Sequence, residues 1–352
     1  MRTLILAAGR FGEAMQRAIA EGREPRLDVF ELARELGADL LDFDDVERSP
    51  HLAIKAVLRA AGPSAALAEL GFFARGRYDA FFTTGEDIGL PLATLLKAAR
   101  SHASHTMIAH TLFPKKKRVF FQVFSVASHI DRFLAYSTSE ERLMLDELGI
   151  PASKVERIYY HADQKFFRPT ERAPEPDLLC AAGQLLRDYD TLIAAVRDLP
   201  VRVQIAAGSP WIDQRLAPAG ELPQNVSWGK LGRFELRELY ERAALAVVPI
   251  KQNHYQTGIA TILEMMAMGK CVIATKTFGQ TDTIVDGETG IYVPPEDPRA
   301  LRDAIERMLA RPDDAKRIGQ AARRFIEERA SLELFVEKVS AAVRDAHSRR
   351  QR

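Results

Sequence analysis

The sequence predicts an α/β fold made of two doubly wound domains in tandem. Three observations lead to this prediction. Short apolar runs that are typical of buried parallel strands alternate with helical patterns along the chain. A proline-rich segment at 168–176, RPTERAPEP, interrupts this alternation, which restarts after it. The length of 352 residues suits two domains, since a domain typically has about 150 residues.

In the first half of the chain, each predicted strand is an apolar run that ends at a turn. The first run ends at Gly9 and is followed by a helical pattern, which is the usual opening of an α/β domain. The third run ends at His110, and Ser137 or Ser139 can cap the helix after the fourth. The predicted strands are 3–8, 79–84, 106–109, 133–137 and 158–160, and the predicted helices are 12–20, 90–100 and one after 137.

The second half repeats the pattern after the proline-rich linker. The predicted strands are 178–182, 201–207, 246–249, 271–275 and 290–293, and the predicted helices are 189–199, 236–244, 259–268, 298–310, 315–328 and 332–346. We therefore predict a first domain over 1–168 and a second over 169–329, with a C-terminal helix at about 330–346 that packs back on the first. Ligands bind beyond the carboxyl ends of the strands in such sheets, and two facing domains make a cleft.

Composition narrows the class of protein. Hydrophobic residues make up 47% and charged residues 28% of the chain, as in soluble globular proteins. The net charge of +1 gives no general attraction to nucleic acid. Two cysteines in apolar runs are too few for a disulfide framework or a thiolate metal site. No apolar run reaches the roughly 18 residues of a membrane span. The apolar stretch at the start of the sequence is too short for a secretory signal. We expect a cytoplasmic protein that binds no nucleic acid.

The segment from 255 to 298 carries the chemistry. Gln256, Thr257 and Gly258 follow a strand and open a helix, and a glycine there lets a ligand approach the backbone. The free amides of the first helical turn would then form an anion site suited to a diphosphate. Glu264, further along this helix, could accept two hydrogen bonds from a ribose diol. The alternative is that Glu264 is only a capping or surface acid.

This segment resembles the C-terminal domain of retaining glycosyltransferases of family 4, the glycosyl transferases group 1, which have the GT-B fold. Their hallmark is a pair of acidic residues with seven residues between them, matched here by Gln256 and Glu264. The family's later signature, DGxTG followed by VPPxDP, is met by residues 286–298. The resemblance extends to 147–169, 181–196 and 225–250, whereas the first 100 residues match only in pattern. It implies two Rossmann-like domains facing a cleft.

The resemblance implies transfer of a sugar from a nucleotide-diphosphate donor, with retention at the anomeric carbon and without a metal or a cofactor. A UDP-sugar is the donor most frequent in the family. The acceptor is unidentified and could be a small molecule, a glycan or a lipid-linked compound. Two alternatives stay open. One is a non-catalytic binding or scaffold protein with a degenerate donor site, and the other is a sugar-nucleotide epimerase on the same fold.

The family's functional positions carry over to named residues of this chain. Three of them are expected to take part in catalysis: His110 near the donor sugar, Gln256 at the sugar hydroxyls and Arg187 at the diphosphate. The expected donor-binding residues are Gly183, Gln184, Lys230, Leu231, Thr257, Gly258, Ile259, Ala260, Thr261 and Glu264. Gln256 and Gln184 depart from the family's Glu and Arg, and these departures are the support for a degenerate site. A structural role is the alternative for His110.

Three further patterns suggest partners or ligands. The segment PKKKRVFFQVF at 114–124 could contact the inner face of an anionic membrane, or it could be a solvated basic loop before a core helix. The membrane contact would use Lys115, Lys116, Lys117, Arg118, Phe120 and Phe121. His102 and His105 are expected to be exposed loop histidines rather than metal ligands. A DxD sequence at 42–44 is expected to lie in a polar turn without metal.

Overall fold

The computed structural model describes residues 1–208 and 221–351. The strands are β1 (Thr3–Leu6), β2 (Asp39–Leu41), β3 (Ala80–Thr83), β4 (Ser104–Ala109), β5 (Arg132–Ala135), β6 (Val155–Arg157), β7 (Glu175–Ala182), β8 (Arg202–Ala206), β9 (Val226–Gly229), β10 (Ala243–Val248), β11 (Val272–Thr275) and β12 (Ile291–Val293). The helices are α1 (Glu13–Ala20), α2 (Asp28–Leu36), α3 (Phe43–Arg48), α4 (Leu52–Ala61), α5 (Pro63–Phe73), α6 (Glu86–Ala98), α7 (Lys115–Gln122), α8 (Thr138–Arg142), α9 (Tyr189–Val196), α10 (Arg233–Arg242), α11 (Ile259–Ala267), α12 (Pro298–Leu309), α13 (Pro312–Arg329) and α14 (Leu332–Arg350).

The chain divides into two compact units. Unit 1 consists of residues 1–20, 26–158 and 333–352, and unit 2 consists of residues 21–25 and 159–332. The division after residue 158 falls ten residues before the boundary that the sequence predicted, and α14, apart from its first residue, belongs to unit 1.

Unit 1 is built on a six-stranded parallel sheet in the order β2-β1-β3-β4-β5-β6. The central strands β1, β3 and β4 are buried along their whole length, as expected for strands covered by helices on both faces. Ser137 caps α8 by accepting a hydrogen bond from the Glu140 amide at 3.1 Å. The sequence predicted this cap as one of two candidates.

Unit 2 is built on a second parallel sheet in the order β12-β11-β10-β7-β8-β9. The chain enters at β7, continues to β8 and β9 on one side, and then returns to β10 on the other side. The order therefore reverses between β7 and β10. In open parallel sheets this reversal leaves a crevice at the carboxyl ends of the two strands, where ligands bind.

Several sequence predictions were wrong in detail. The fifth strand was predicted over 158–160 but is β6, three residues earlier, and Ile158 only donates its amide to the Ala135 carbonyl. The helix predicted from residue 90 is α6, which begins at Glu86. The C-terminal helix predicted to end at 346 is α14, which continues to Arg350. The Arg350 guanidinium lies 3.0 Å from a carboxylate oxygen of Asp131.

His105 is buried on β4 rather than exposed in a loop, which corrects the sequence prediction. Its Nε2 lies 3.0 Å from the hydroxyl of Thr83 on β3. Burial lowers the pKa of His105 to about 4, because the imidazolium form is poorly solvated there. His102 is exposed, as predicted.

This buried imidazole makes unfolding sensitive to pH. Between pH 6.5 and 4 the unfolded chain protonates His105 while the folded chain does not, so stability falls as pH falls. From pH 6.5 to 5 we expect a loss of about 1.5 kcal/mol, because the slope reaches about 1.4 kcal/mol per pH unit only below the pKa of the unfolded imidazole. Urea unfolding at both pH values measures it, and His105→Gln, which cannot titrate, should lose correspondingly less. Equal losses in both proteins would contradict the assignment.

Within the described ranges, no helix combines the length and the apolar character that are needed to cross a bilayer.

Candidate functional site

The loops after β7 and β10 meet at the point where the strand order of unit 2 reverses. Arg187, five residues after the end of β7, forms an antiparallel bridge with Ile250, two residues after the end of β10. The first turn of α11 approaches the same place, because the Arg187 guanidinium lies 3.1 Å from the Thr261 hydroxyl. The structure therefore brings together Arg187 and the start of α11, which the sequence assigned to one site.

The N-terminus of α11 offers fewer free amides than the sequence predicted. Gly258 lies before the helix in the left-handed region, with a φ of 84°. The Ile259 amide donates to the Gln256 carbonyl at 3.3 Å and is not free, which corrects the prediction. No backbone hydrogen bond is found for the Ala260 and Thr261 amides within the described part of the chain. Two amides at the positive end of the helix dipole are therefore available to an anion.

Arg187 is buried and its guanidinium is held by protein atoms on three sides. Nε donates to the Ala182 carbonyl at 2.9 Å, Nη1 to the Leu185 carbonyl at 3.0 Å, and Nη2 to Thr261. Burial lowers the pKa of Arg187. An arginine has five N–H donors, so at most two remain for a phosphate. The geometry favours a clamp between loops over the phosphate ligand that the sequence suggested.

The two glycines of the site make room for this arginine. A Cβ atom at Gly183 would collide with Arg187 Nη2, and one at Gly258 would lie 3.2 Å from Arg187 Nη1. Packing beside Arg187 is therefore one reason for a glycine at 258, and the approach of a ligand to its backbone stays a prediction. Protein atoms, including the Ile250 side chain at 3.1 Å, already fill that space.

Glu264 is neither a cap nor a surface acid. It is only 8% exposed, and its Oε1 atom accepts a hydrogen bond from Arg233 Nη1 at 2.8 Å. Burial raises the pKa of Glu264, and the Arg233 guanidinium opposes this shift. A buried carboxylate paired with an arginine on one oxygen can still accept hydrogen bonds on the other.

Arg233 is the residue that sequence reasoning missed. It begins α10, directly after the turn that contains Lys230 and Leu231. The only available signal was a cation beside a glycine turn, because its partner Glu264 lies 31 residues away. Lys230 is exposed, whereas Leu231 is half-buried and packs against the core of unit 2.

Of the two glutamines of the predicted site, Gln184 is buried and Gln256 is half-buried. Gln184 is 2% exposed. The Oε1 atom of Gln256 is buried and finds no hydrogen-bond partner in the part of the chain that the structure describes. A buried acceptor without a partner has an energetic cost. The Gln256 oxygen is therefore suited to accepting a hydrogen bond from a hydroxyl group of a ligand. Thr257 is turned to its own loop, where its hydroxyl lies 3.1 Å from Asn253 Oδ1.

In unit 1, His110 follows the carboxyl end of β4, as predicted. It is exposed, and its Nε2 lies 2.8 Å from the Thr84 carbonyl oxygen, so this nitrogen carries a proton and donates. The ring also packs on Tyr136 with centroids 5.4 Å apart. The side chain is thereby fixed in one orientation at the edge of the sheet.

The basic segment after His110 forms α7 instead of a loop, and part of the predicted membrane contact is wrong. Lys117 is 8% exposed and pairs with Glu86 at 2.6 Å. Arg118 pairs with Glu147 at 2.8 Å, and Phe120 and Phe121 are half-buried against the core. Of the predicted contacts, only Lys115 and Lys116 are exposed cations. Membrane contact stays a prediction.

The candidate DxD sequence has a local structural role. Asp42 caps α3 and accepts hydrogen bonds from the amides of Asp44 and Asp45. Across residues 1–208 and 221–351, no three His, Cys, Asp or Glu side chains are grouped so that they could hold a metal ion.

Comparison with known proteins shows what the chain is similar to. Residues 163–325 match the family model described as Glycosyl transferases group 1. A D-inositol 3-phosphate glycosyltransferase of Thermobifida fusca is 25% identical over 309 residues, which cover 77% of this chain and 70% of that protein. One of Corynebacterium urealyticum is 30% identical over 145 residues, which cover 39% of this chain and 33% of that protein.

Solved structures share the fold over nearly the whole chain. A sucrose-phosphate synthase from Thermosynechococcus elongatus superposes with a TM-score of 0.73 at 17% identity, covering 99% of this chain and 100% of that chain. The Anabaena HepE protein in complex with UDP and glucose gives a TM-score of 0.68 at 13% identity, covering 97% and 98%. At these identities the likeness establishes the fold, which is the two-domain α/β fold of the GT-B type.

Proposed function

We propose that this protein, whose residues 163–325 match the Glycosyl transferases group 1 model, is a glycosyltransferase that moves a sugar from a UDP-sugar to a hydroxyl group of its acceptor. We propose further that the reaction retains the configuration at the anomeric carbon and needs no metal ion. The donor assignment rests on helix α11 of unit 2. There a buried carboxylate, Glu264, lies on the same helix as the two available amides of Ala260 and Thr261.

Each part of this site matches one part of a nucleoside diphosphate. The carboxylate can accept hydrogen bonds from the two ribose hydroxyls, and the amides with the helix dipole can bind the diphosphate. Stabilising the diphosphate as it leaves is the main chemical requirement of the transfer, because negative charge develops on it in the transition state. The orphaned oxygen of Gln256 would accept a hydrogen bond from a sugar hydroxyl. For His110 of unit 1 we propose a role in sugar transfer, as the sequence resemblance implies.

The names of similar proteins suggest the first compounds to test. HepE was crystallised with UDP and with UDP-glucose, which favours uridine as the base. Several relatives are named D-inositol 3-phosphate glycosyltransferases. We therefore propose a phosphorylated polyol as the first acceptor class, with D-inositol 3-phosphate as its representative.

A thermal-shift series with UDP, ADP, GDP and UDP-glucose, each with and without EDTA, tests the donor site. We expect UDP to raise the melting temperature by a few degrees at a concentration of about 100 times its Kd, and EDTA to leave the shift unchanged. UDP release from UDP-glucose, measured with and without D-inositol 3-phosphate, then tests transfer. The anomeric configuration of the product, read by NMR, tests retention.

Each outcome bears on a separate part of the proposal. Loss of the UDP shift in EDTA would contradict metal independence, and an inverted product would contradict retention. A shift with UDP but no turnover of any UDP-sugar would favour a binding protein with a degenerate donor site. No shift with any nucleotide would overturn the donor site itself.

A further inference from the structure

The loop after β4 is held by two carboxylates from neighbouring helices. Glu86 of α6 accepts the His110 amide at 2.8 Å and the Thr111 amide at 3.3 Å. Glu140 of α8 accepts the next amide, that of Leu112, at 2.6 Å. Three consecutive backbone amides therefore donate hydrogen bonds to two carboxylate side chains. The position of the loop that carries His110 depends on both carboxylates.

Both carboxylates are buried, each with 2% of its surface exposed. Lys117 of α7 lies 2.6 Å from Glu86 and 3.0 Å from Asp87, and so compensates the charge of Glu86. The pKa of Glu140 is raised to about 8, chiefly by burial and also by the nearby Glu86, while the hydrogen bond from the Leu112 amide opposes the shift.

Burying two carboxyl groups side by side destabilises the fold unless every hydrogen-bond and ion-pair partner is in place. A buried carboxylate loses its hydration and regains the energy only through well-placed donors. Glu86 receives three of them, two from the loop and one from Lys117. Because these bonds are directional, they fix where the chain leaves β4. The same bonds hold the backbone of His110, because its amide is one of the donors. The position from which its imidazole starts is thereby fixed.

We propose that Glu86 and Glu140 are positioning residues that hold His110 in place for sugar transfer. This inference rests on the proposed function of His110. Neither carboxylate touches the reacting atoms. Their effect on the reaction passes through the loop at 110–112, and Lys117 acts on the same loop by holding Glu86.

Kinetics of UDP-glucose turnover in single and double variants test the proposal. Glu86→Gln weakens the hold on two amides and breaks the ion pair with Lys117. We expect it to lower kcat by about 10- to 100-fold, since a misplaced group costs that much, while the KM for UDP-glucose changes less than about twofold. In the His110→Ala background, Glu86→Gln should cause no further loss, because the two residues then act as one unit.

Two more measurements separate positioning from general stability. Hydrogen exchange of the His110, Thr111 and Leu112 amides should accelerate in Glu86→Gln at a pH where the protein is folded. Glu140→Gln should restore most of the kcat that Glu140→Leu loses, because the amide keeps an acceptor for Leu112. Glu147→Gln is the matched control, since Glu147 also binds a cation of α7 but is not bonded to the loop.

The outcomes distinguish this inference from the proposed function. If the wild-type protein turns over no UDP-sugar, or if His110→Ala keeps wild-type kcat, the role of His110 in transfer is wrong. If His110→Ala is impaired but Glu86→Gln adds an independent loss, or if amide exchange at 110–112 is unchanged, the positioning role of the carboxylates is overturned.

Discussion

Replacement of Arg187 by alanine is expected to lower the free energy of unfolding by about 4 kcal/mol. The guanidinium bonds two carbonyl oxygens and the Thr261 hydroxyl, and it fills the space beside Gly183 and Gly258. Removing it leaves three buried polar atoms without a partner, at about 1–3 kcal/mol each before relaxation, and opens a void. Urea unfolding without nucleotide measures the loss.

A lysine at this position should recover less than half of that stability. Its ammonium is a compact charge without the planar fork that reaches three acceptors at once. Arg302→Ala is the matched control, because Arg302 also bonds a backbone carbonyl but lies on the exposed face of α12, where about 0–1 kcal/mol is expected. If Arg187→Ala unfolds like the wild type but binds UDP more than tenfold more weakly, Arg187 is a phosphate ligand and the clamp is wrong.

Replacement of Glu264 by alanine is expected to weaken UDP binding by at least about 100-fold. The proposed role of this carboxylate is to accept both ribose hydroxyls, and a hydrogen bond to a charged group contributes about 1.5–3 kcal/mol. Two such bonds correspond to a factor of 100 or more at 1.4 kcal/mol per tenfold change. Titration calorimetry with UDP measures the affinity directly, and the UDP-dependent thermal shift should vanish.

The ion pair with Arg233 must be separated from this effect. Glu264→Ala leaves the Arg233 guanidinium without its partner, which destabilises the free protein. Glu264→Gln keeps the size of the side chain and one acceptor, so we expect a milder loss of UDP affinity of about tenfold. Glu306→Ala, which breaks an exposed pair with Arg302, should bind UDP like the wild type. Wild-type affinity in a folded Glu264→Ala protein would show that Glu264 serves only Arg233.

Much of the fold was predictable because its strands are apolar runs of the kind that parallel sheets require. β1, β3, β4, β7, β10 and β11 were all found in this way. β6 was misplaced because it is an edge strand, in which Val155 and Glu156 are half-buried and Arg157 is exposed, and because the more apolar run follows it. β9 was not assigned as a strand because it is also an edge strand, with only Val226 fully buried.

The candidate site was predictable where residues are near in sequence and not where they meet across the fold. The start of α11 could be found because a glycine turn, a helix and Glu264 follow one another within ten residues. The partner of that carboxylate, Arg233, could not be found, since nothing in a single sequence pairs positions 31 residues apart. For the same reason Arg187 was assigned to a ligand rather than to Thr261.

The discontinuity of unit 1 fixes an order of events during protein synthesis. Arg132 and Asp131 of unit 1 find their partners, Asp345 and Arg350, in α14. Those partners leave the ribosome more than 200 residues later. Unit 2, which is continuous from residue 159 to 332, has all of that sequence available first, and domains fold as units while the chain grows. The N-terminal half of this protein is therefore the last to be completed.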